Sequence, residues 1–443
     1  MAQKYKYLHL INYNTFLLWD IKRYFMTQMA SSHPIVKLGD YIQEEGTKYN
    51  ISDKTKTYGI LGVNNQTGIF DAYEENGSKI KQKYKKMQVG WIAYNPYRVN
   101  VGSIGIRTEE HLFEYISPAY VVFSCKKGLL PEFLFLLMKT DLFNKIIREN
   151  TTGSVRQNLN YSVLSNLQIP LPSLAEQNKI IAAYNATIAQ AKQYSTQAKD
   201  IDKQIEKHLQ DELGLLKTSV SKKQNIVGKF IKLVHLKDIT RWDIYNLQNG
   251  DYNGKYNSQF LRDILISTPK YGAGYKAEKK HSDVRYIRIT DINEDGSLND
   301  DFASVSQYDN QYLLKQNDFL IARTGNTVGK TFLYDESMGK AIYAGYLIKF
   351  ELNTKKVNPQ YMLAYTKSSI YKQWIKSNMR ISAQPNINCK QYEESPIILP
   401  PLNIQNEIVE HITALRKKQK DLQQKSLTLR QQATQQFEQT IFN

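Results

Sequence analysis

The sequence predicts an α+β protein: two similar mixed α/β domains separated by a pair of long antiparallel coiled-coil helices. Three observations lead there. One stretch of the chain recurs further along at a constant offset. Short β-favouring runs alternate with Gly, Asn and Asp turns. Each copy then ends in roughly forty residues carrying a narrow apolar stripe. At 443 residues and 41% hydrophobic content the chain exceeds one ordinary domain and supports more than one core.

The repeat is legible residue by residue. IPLPSLAEQNKI, from Ile169 to Ile180, matches IILPPLNIQNEI, from Ile397 to Ile408, at an offset of 228. The same offset places Asn158-Leu159-Asn160 on Asn386-Ile387-Asn388, Ser154 on Ser382, Ile147 on Ile375, Phe143 on Tyr371, and Pro131-Glu132-Phe133-Leu134 on Pro359-Gln360-Tyr361-Met362. Nearer the start it drifts, to 227 for Val101-Gly102 against Val328-Gly329 and to 223 for Trp19-Asp20 against Trp242-Asp243, so loop insertions separate the halves. Each half is therefore expected to be one complete structural unit.

The expected order is a first mixed domain over 1–172, a spacer helix over 173–213, a linker over 214–230, a second mixed domain over 231–400 and a second spacer helix over 401–443. Runs such as Tyr286-Ile287-Arg288-Ile289 and Phe319-Leu320-Ile321-Ala322 read as strands. A helical patch follows in each half, opened by Pro131 or Pro359 in its first turn. Beyond the Leu-Pro element the period changes. Ile181, Tyr184, Ile188, Ala191, Tyr194, Ala198, Ile201, Ile205 and Leu209 mark one stripe, and Ile408, Ile412, Leu415, Leu422, Leu429, Ala433, Phe437 and Ile441 the other. Forty residues make about 60 Å of helix, and a stripe that long needs a partner. The simplest partner is the repeat itself, lying antiparallel. Folding back on its own domain, or pairing between chains, are the alternatives. Gly214 ends the first helix, and the polar KTSVSKKQN that follows reads as a linker.

The formal net charge of +17 points towards nucleic acid. A chain rich in Lys, Asn, Tyr and Ile can also carry such charge through base composition alone, and only 13 of its 59 basic residues are arginine. Location favours the first reading, since the two helical stretches sum to −1 and +2 and leave +16 on the remainder. Cys125 and Cys389 are too far apart in sequence to suggest a disulfide framework or a zinc site. With no signal-like N-terminus and no unbroken apolar run of membrane length, a cytoplasmic location without membrane contact is expected.

On the duplicated element Leu171-Pro172-Ser173-Leu174-Ala175-Glu176-Gln177-Asn178-Lys179-Ile180 and Leu399-Pro400-Pro401-Leu402-Asn403-Ile404-Gln405-Asn406-Glu407-Ile408, each leading into a long helix, the chain resembles the specificity subunits of type I restriction-modification systems. The resemblance covers essentially the whole length. It implies one target-recognition domain per half, each reading part of a split asymmetric site in double-stranded DNA, with the helices as ruler and as dock for two methyltransferase subunits. It further implies that the chain is not an enzyme and holds no cofactor. S-adenosylmethionine for adenine N6 methylation belongs to the methyltransferase partner, and ATP and Mg to a translocating endonuclease partner. A self-contained methyltransferase or nuclease is the alternative, and a helical scaffold for proteins alone is disfavoured by the +16 on the domains.

Candidate DNA contacts follow from loop chemistry. The segment from Arg323 to Thr331 offers Arg323, Thr324, Asn326 and Lys330 among glycines. It has three residues where a phosphate-binding loop needs four, so no nucleotide site is expected. Its counterpart runs from Asn95 to Ser103 and contains Arg98. Tyr271, Lys276, Arg285 and Arg288 flank the KYGAGYK segment and a strand; Lys48, Tyr49, Asn64, Asn65 and Arg107 are their analogues in the first half. Asn95-Pro96-Tyr97 lacks the second proline of an adenine-methyltransferase motif, and Asp263 with Glu278-Lys279-Lys280 is too common a pattern in a lysine-rich chain to mark a nuclease. No catalytic residue and no metal ligand set is expected.

Overall fold

The computed structural model describes residues 29–99, 102–150, 158–215, 254–279, 282–379 and 385–442. Trp19-Asp20, Trp242-Asp243, Asn100, Val101, Ser154, Lys280, Ser382 and residues 216–230 of the expected linker lie outside the described residues. Contacts divide the chain into two compact units, residues 1–193 with 425–443 and residues 194–424. Each unit takes part of both long helices.

In the first unit the strands are β1 (Ile35–Lys37), β2 (Ile42–Glu44), β3 (Lys48–Tyr49), β4 (Thr57–Asn64), β5 (Gly68–Asn76), β6 (Tyr84–Lys86), β7 (Ile92–Tyr94), β8 (Ile104–Ile106), β9 (Tyr115–Ile116), β10 (Val121–Cys125) and β11 (Gln168–Pro170). Its helices are α1 (Pro131–Met138), α2 (Asp141–Asn150), α3 (Tyr161–Ser165) and the start of α4 (Leu174–Leu213). One sheet has the order β2-β10-β7-β8, a second β3-β6-β9-β4-β5, and β1 pairs with β11. The second unit carries β12 (Ser258–Phe260), β13 (Lys270–Tyr271), β14 (Glu278–Lys279), β15 (Arg285–Ile287), β16 (Ala303–Ser304), β17 (Asp318–Ala322), β18 (Thr331–Leu333), β19 (Ala341–Tyr343), β20 (Leu347–Glu351) and β21 (Pro396–Ile398). With them come α5 (Pro359–Tyr365), α6 (Ser369–Asn378), α7 (Cys389–Glu393) and most of α8 (Leu402–Phe442). Here the sheets run β13-β20-β17-β18 and β14-β16-β15-β19, and β12 pairs with β21. One four-stranded sheet and the short strand pair are thus common to both units, while the other sheet has five strands in one and four in the other.

Local chemistry explains the shared frame. Each helical patch of the sequence is two helices, broken where a hydroxyl caps the second: Thr140 Oγ1 accepts from Phe143 N at 3.2 Å, and Ser368 Oγ from Tyr371 N at 3.4 Å. A glutamate from a long helix meets the backbone beside each cap, Glu438 accepting from Asp141 N and Glu206 from Ser369 N. The repeated glutamine has one structural job in both copies. Gln177 is fully buried; its amide donates to Gly128 O and Pro172 O at 2.9 Å each and accepts from Leu130 N at 2.9 Å. Gln405, equally buried, donates to Lys356 O at 3.1 Å and Pro400 O at 2.8 Å and accepts from Asn358 N at 2.7 Å. Every partner obeys the 228 offset. The element therefore pins the first turn of a long helix to the loop that starts α1 or α5, where backbone groups lack partners of their own.

The long helices start and stop by ordinary rules. Ser173 and Glu176 form a reciprocal capping box at the head of α4, Ser173 N donating to Glu176 Oε2 at 3.0 Å and Glu176 N to Ser173 Oγ at 3.3 Å. Gly214, at φ 66°, closes it with Leu215 N bonded to Gln210 O at 2.8 Å. Within the second unit, His208 stacks on His411 at 4.0 Å, Arg416 pairs with Asp202 at 2.5 Å, and Gln419 Nε2 donates to Ala198 O at 2.9 Å. Within the first, Ser426 donates to Ala191 O at 2.7 Å and the Tyr184 and Phe437 rings lie 6.4 Å apart. Numbers fall on α8 as they rise on α4, so the helices pair antiparallel in both units, as the stripes predict. Ala198, Ile201, Ile205 and Leu209 are buried with Ile408, Ile412 and Leu422 in the second core, and Phe437 and Ile441 are buried in the first. Among the described residues no helix is long and apolar enough to cross a membrane.

Candidate nucleic-acid interface

In the second unit three loops converge on one exposed cluster. KYGAGYK leaves β13 and must pass very close to the turn after β19. A Cβ on Gly272 would sit 2.3 Å from Ala344 O and 2.4 Å from Tyr343 O, so glycine is required there. The third loop follows β17. Arg323 N donates to Tyr346 O at 3.0 Å and Arg323 Nε to Gly345 O at 3.3 Å, which ties this loop to the same turn. The guanidinium then lies 5.0 Å from the Tyr271 ring centre and 5.9 Å from that of Tyr346. Both rings are exposed, at 44% and 53%, and Tyr271 is itself fixed by a hydrogen bond that its hydroxyl accepts from Cys389 N. Such an arrangement is a half-buried cation held against two exposed aromatic rings.

The rest of the Arg323–Thr331 segment is a turn from Gly325 to Thr327, with Gly325 and Gly329 at φ 69° and 84°. Asn326 is exposed. Thr324 is buried and donates to Pro385 O, so its side chain holds the loop rather than facing solvent. Lys330 pairs with Glu294 at 3.0 Å and donates to Ile292 O at 3.3 Å. It lines a cavity of about 150 Å³ with Asn326, Lys367 and Lys372, where burial pushes the Lys367 ammonium down to about 8. Lys276 is exposed beyond the glycine-rich segment.

The first unit builds its counterpart differently. Asn64 closes the β4–β5 hairpin, its carboxamide oxygen accepting from Gln66 N at 2.9 Å and Thr67 N at 2.7 Å. Asn65 is exposed at the tip, which packs on the Asn95–Ser103 loop through Ser103 Oγ donating to Val63 O at 3.2 Å. That loop presents Tyr97 and Arg98 to solvent, while Asn95 accepts from Tyr97 N in a local turn. Lys48 and Tyr49 are exposed on β3, at the edge of the five-stranded sheet.

Other arginines singled out in the sequence work inside the fold. Arg107 donates from Nε to Phe113 O and from Nη1 to Met87 O. Arg285 donates to Asn299 O and lies over the Phe302 ring. Arg288 grips the buried Asp291 at 2.6 Å and Asp301 at 2.8 Å, bonds that raise its guanidinium further above its ordinary value. These three staple loops, and for Arg288 alone the sequence carries a signal, the Asp three residues on. Tyr346 escaped the sequence reading; its signal was a Gly-Tyr pair between two β runs, the same pair that ends KYGAGY. Asp263 accepts from Phe260 N in a short turn, a structural use. Among the described residues no three His, Cys, Asp or Glu side chains gather to hold a metal.

The chain is also similar to known proteins. The family described as type I restriction modification DNA specificity domain matches residues 35–213 and again 253–429. The EcoBI specificity subunit of a type I restriction enzyme from Escherichia coli is 22% identical over 278 residues, which is 61% of this chain and 56% of that protein. The StySPI specificity subunit from Salmonella potsdam is 20% identical over 302 residues, 66% of this chain and 59% of its own. The matches thus span less than two thirds of either relative. A chain solved in a study of complex assembly and conformational transition of the type I R-M system superposes over 94% of this chain and 97% of its own, with a TM-score of 0.57 at 14% identity.

Proposed function

The chain belongs to the type I restriction-modification DNA specificity family, which it matches twice, and from that premise we propose that it is the DNA-reading subunit of such a complex. Each unit reads one part of a bipartite site in double-stranded DNA. The observation that carries this reading is the double match on a duplicated frame whose second sheets differ, five strands against four. Two identical readers would favour a palindrome; two different ones call for an asymmetric sequence. The +16 outside the long helices supplies the attraction to phosphate.

In this reading the α4–α8 pair sets the gap between half-sites and docks two methyltransferase subunits, to which endonuclease/translocase subunits add. Chemistry belongs to those partners: S-adenosylmethionine to the methyltransferase, ATP and Mg to the endonuclease. The chain contributes no catalytic group and works in the cytoplasm beside the DNA it reads. Support comes from the side chains themselves, since the exposed candidates Lys48, Tyr49, Asn65, Arg98, Tyr271, Lys276 and Asn326 and the half-buried Arg323 are hydrogen-bonding and stacking groups, with no nucleophile and base in register among the described residues.

Sequencing the methylome of a host strain with and without this gene tests the proposal. A split, non-palindromic adenine-methylated motif that disappears with the gene is the expected result. Methyl transfer or DNA cleavage by the purified chain alone would overturn it. Binding is expected to weaken at least tenfold between 50 and 200 mM salt, as phosphate-contacting proteins do.

A further inference from the structure

We propose that Arg323 is a specificity-determining residue that reads a guanine in the half-site of the second unit, resting on the DNA-recognition function proposed above. The plane of this arginine is set before DNA arrives. Its backbone N–H and its Nε are both tied to the 345–346 turn, at 3.0 and 3.3 Å. Its cationic face is held by Tyr271 and Tyr346. Among the described residues nothing accepts from Nη1 or Nη2, and no carboxylate pairs with it. The remaining donors form a fork, and a fork of fixed plane matches the O6 and N7 acceptors that guanine alone presents together in the major groove.

The other arginines singled out in the sequence lack this arrangement. Arg107, Arg285 and Arg288 donate to carbonyls or carboxylates of their own domains. Arg98 is exposed, and among the described residues neither a ring nor an acceptor orients it, which suits a phosphate better than a base. In the first unit the position matching Arg323 at the offset of 227 is Pro96, so no equivalent fork exists and the two half-sites must be read by different means. A phosphate contact does not need the cage; a bidentate base contact gains from it, because less rotamer freedom is lost on binding.

The test is selection from a library of DNA duplexes with randomised centres, using the full-length chain and its Arg323→Lys, Arg323→Gln and Tyr346→Leu variants. The wild type is expected to enrich a motif with an invariant guanine in one half. Arg323→Gln and Arg323→Lys should enrich the same motif with that single position open to other bases, and bind the guanine duplex on the order of tenfold to a hundredfold more weakly. Lysine keeps the charge and the fold but not the fork, so loss of selectivity in that variant separates reading from attraction. Tyr346→Leu, which leaves the fork and removes one face of its cage, should reduce discrimination at the same base and no other. Weakening by the same factor on every duplex, or a retained guanine in the Arg323 variants, overturns the proposal while leaving DNA recognition intact. No enriched motif from the wild type overturns both.

Discussion

Replacing Gln177 by Met tests the reading of the duplicated element as a pin between loop and helix. Methionine fills the same volume without the amide, so packing changes little and polarity changes most. Three partners are orphaned: the Leu130 N–H and the carbonyls of Gly128 and Pro172. An unsatisfied buried group costs about 1 to 3 kcal/mol, and the lower figure applies here because Gly128 and Leu130 are only partly buried. The sum is about 3 kcal/mol, or roughly two powers of ten in a local opening equilibrium. A chain of two units has no single unfolding free energy, so hydrogen exchange resolved by peptide is the suitable assay. Peptides covering residues 128–138 should exchange on the order of a hundredfold faster, and Gln405→Met should do the same to 356–366. A change below threefold in both variants would refute the pin. An effect in one copy alone would refute the structural equivalence of the two.

Three further outcomes follow from the same geometry. Gly272→Ala forces a methyl group against two carbonyls at 2.3 and 2.4 Å and should displace the turn bearing Tyr346, weakening DNA binding at least tenfold by fluorescence anisotropy; Gly274→Ala, with nothing within 4 Å, is the matched control and should bind as the wild type does. Phe437→Ala removes a ring lying 5.8 Å from Phe133 and should cost about 3 to 5 kcal/mol, read as faster proteolysis of residues 29–150 in the first unit. Burial, and then the neighbouring His411, lower the His208 pKa, against the opposing pull of Glu212 and Asp211. The unfolded chain therefore binds the proton more tightly, and stability falls as pH drops below about 6.5, levelling once pH passes under the folded value. Calorimetric scans at two pH values should show this loss, and His208→Leu should shrink it.

What could be read from the sequence follows the strength of each signal. A stripe repeated over forty residues is redundant, so α4 and α8 begin and end within a residue or two of the expected spans. The 228 offset likewise places Gln177 on Gln405, the pair that shares one set of bonds in the fold. Short strands are the opposite case. β3, β9, β13, β14 and β16 are two residues long, and nothing in a two-residue stretch distinguishes a strand from a loop except the partner it meets. Arginine is ambiguous for a related reason. Arg288 and Arg323 look alike along the chain, but one faces Asp291 and the other two tyrosine rings, and only the folded backbone decides. The division of the chain into units was hidden as well, because exchange of helix ends between them is a tertiary fact with no periodicity of its own.

That exchange bears on how the molecule is made. Phe437 and Ile441 lie in the hydrophobic interior shared with Leu38, Phe133 and Ile169, yet the ribosome delivers them some 270 residues after the last of those three. At ordinary elongation rates of about 5 to 20 residues per second, the earliest part of the polypeptide waits on the order of tens of seconds with an apolar groove uncovered. A premature stop codon near position 425 would consequently wound the first unit, translated long before it, rather than the second.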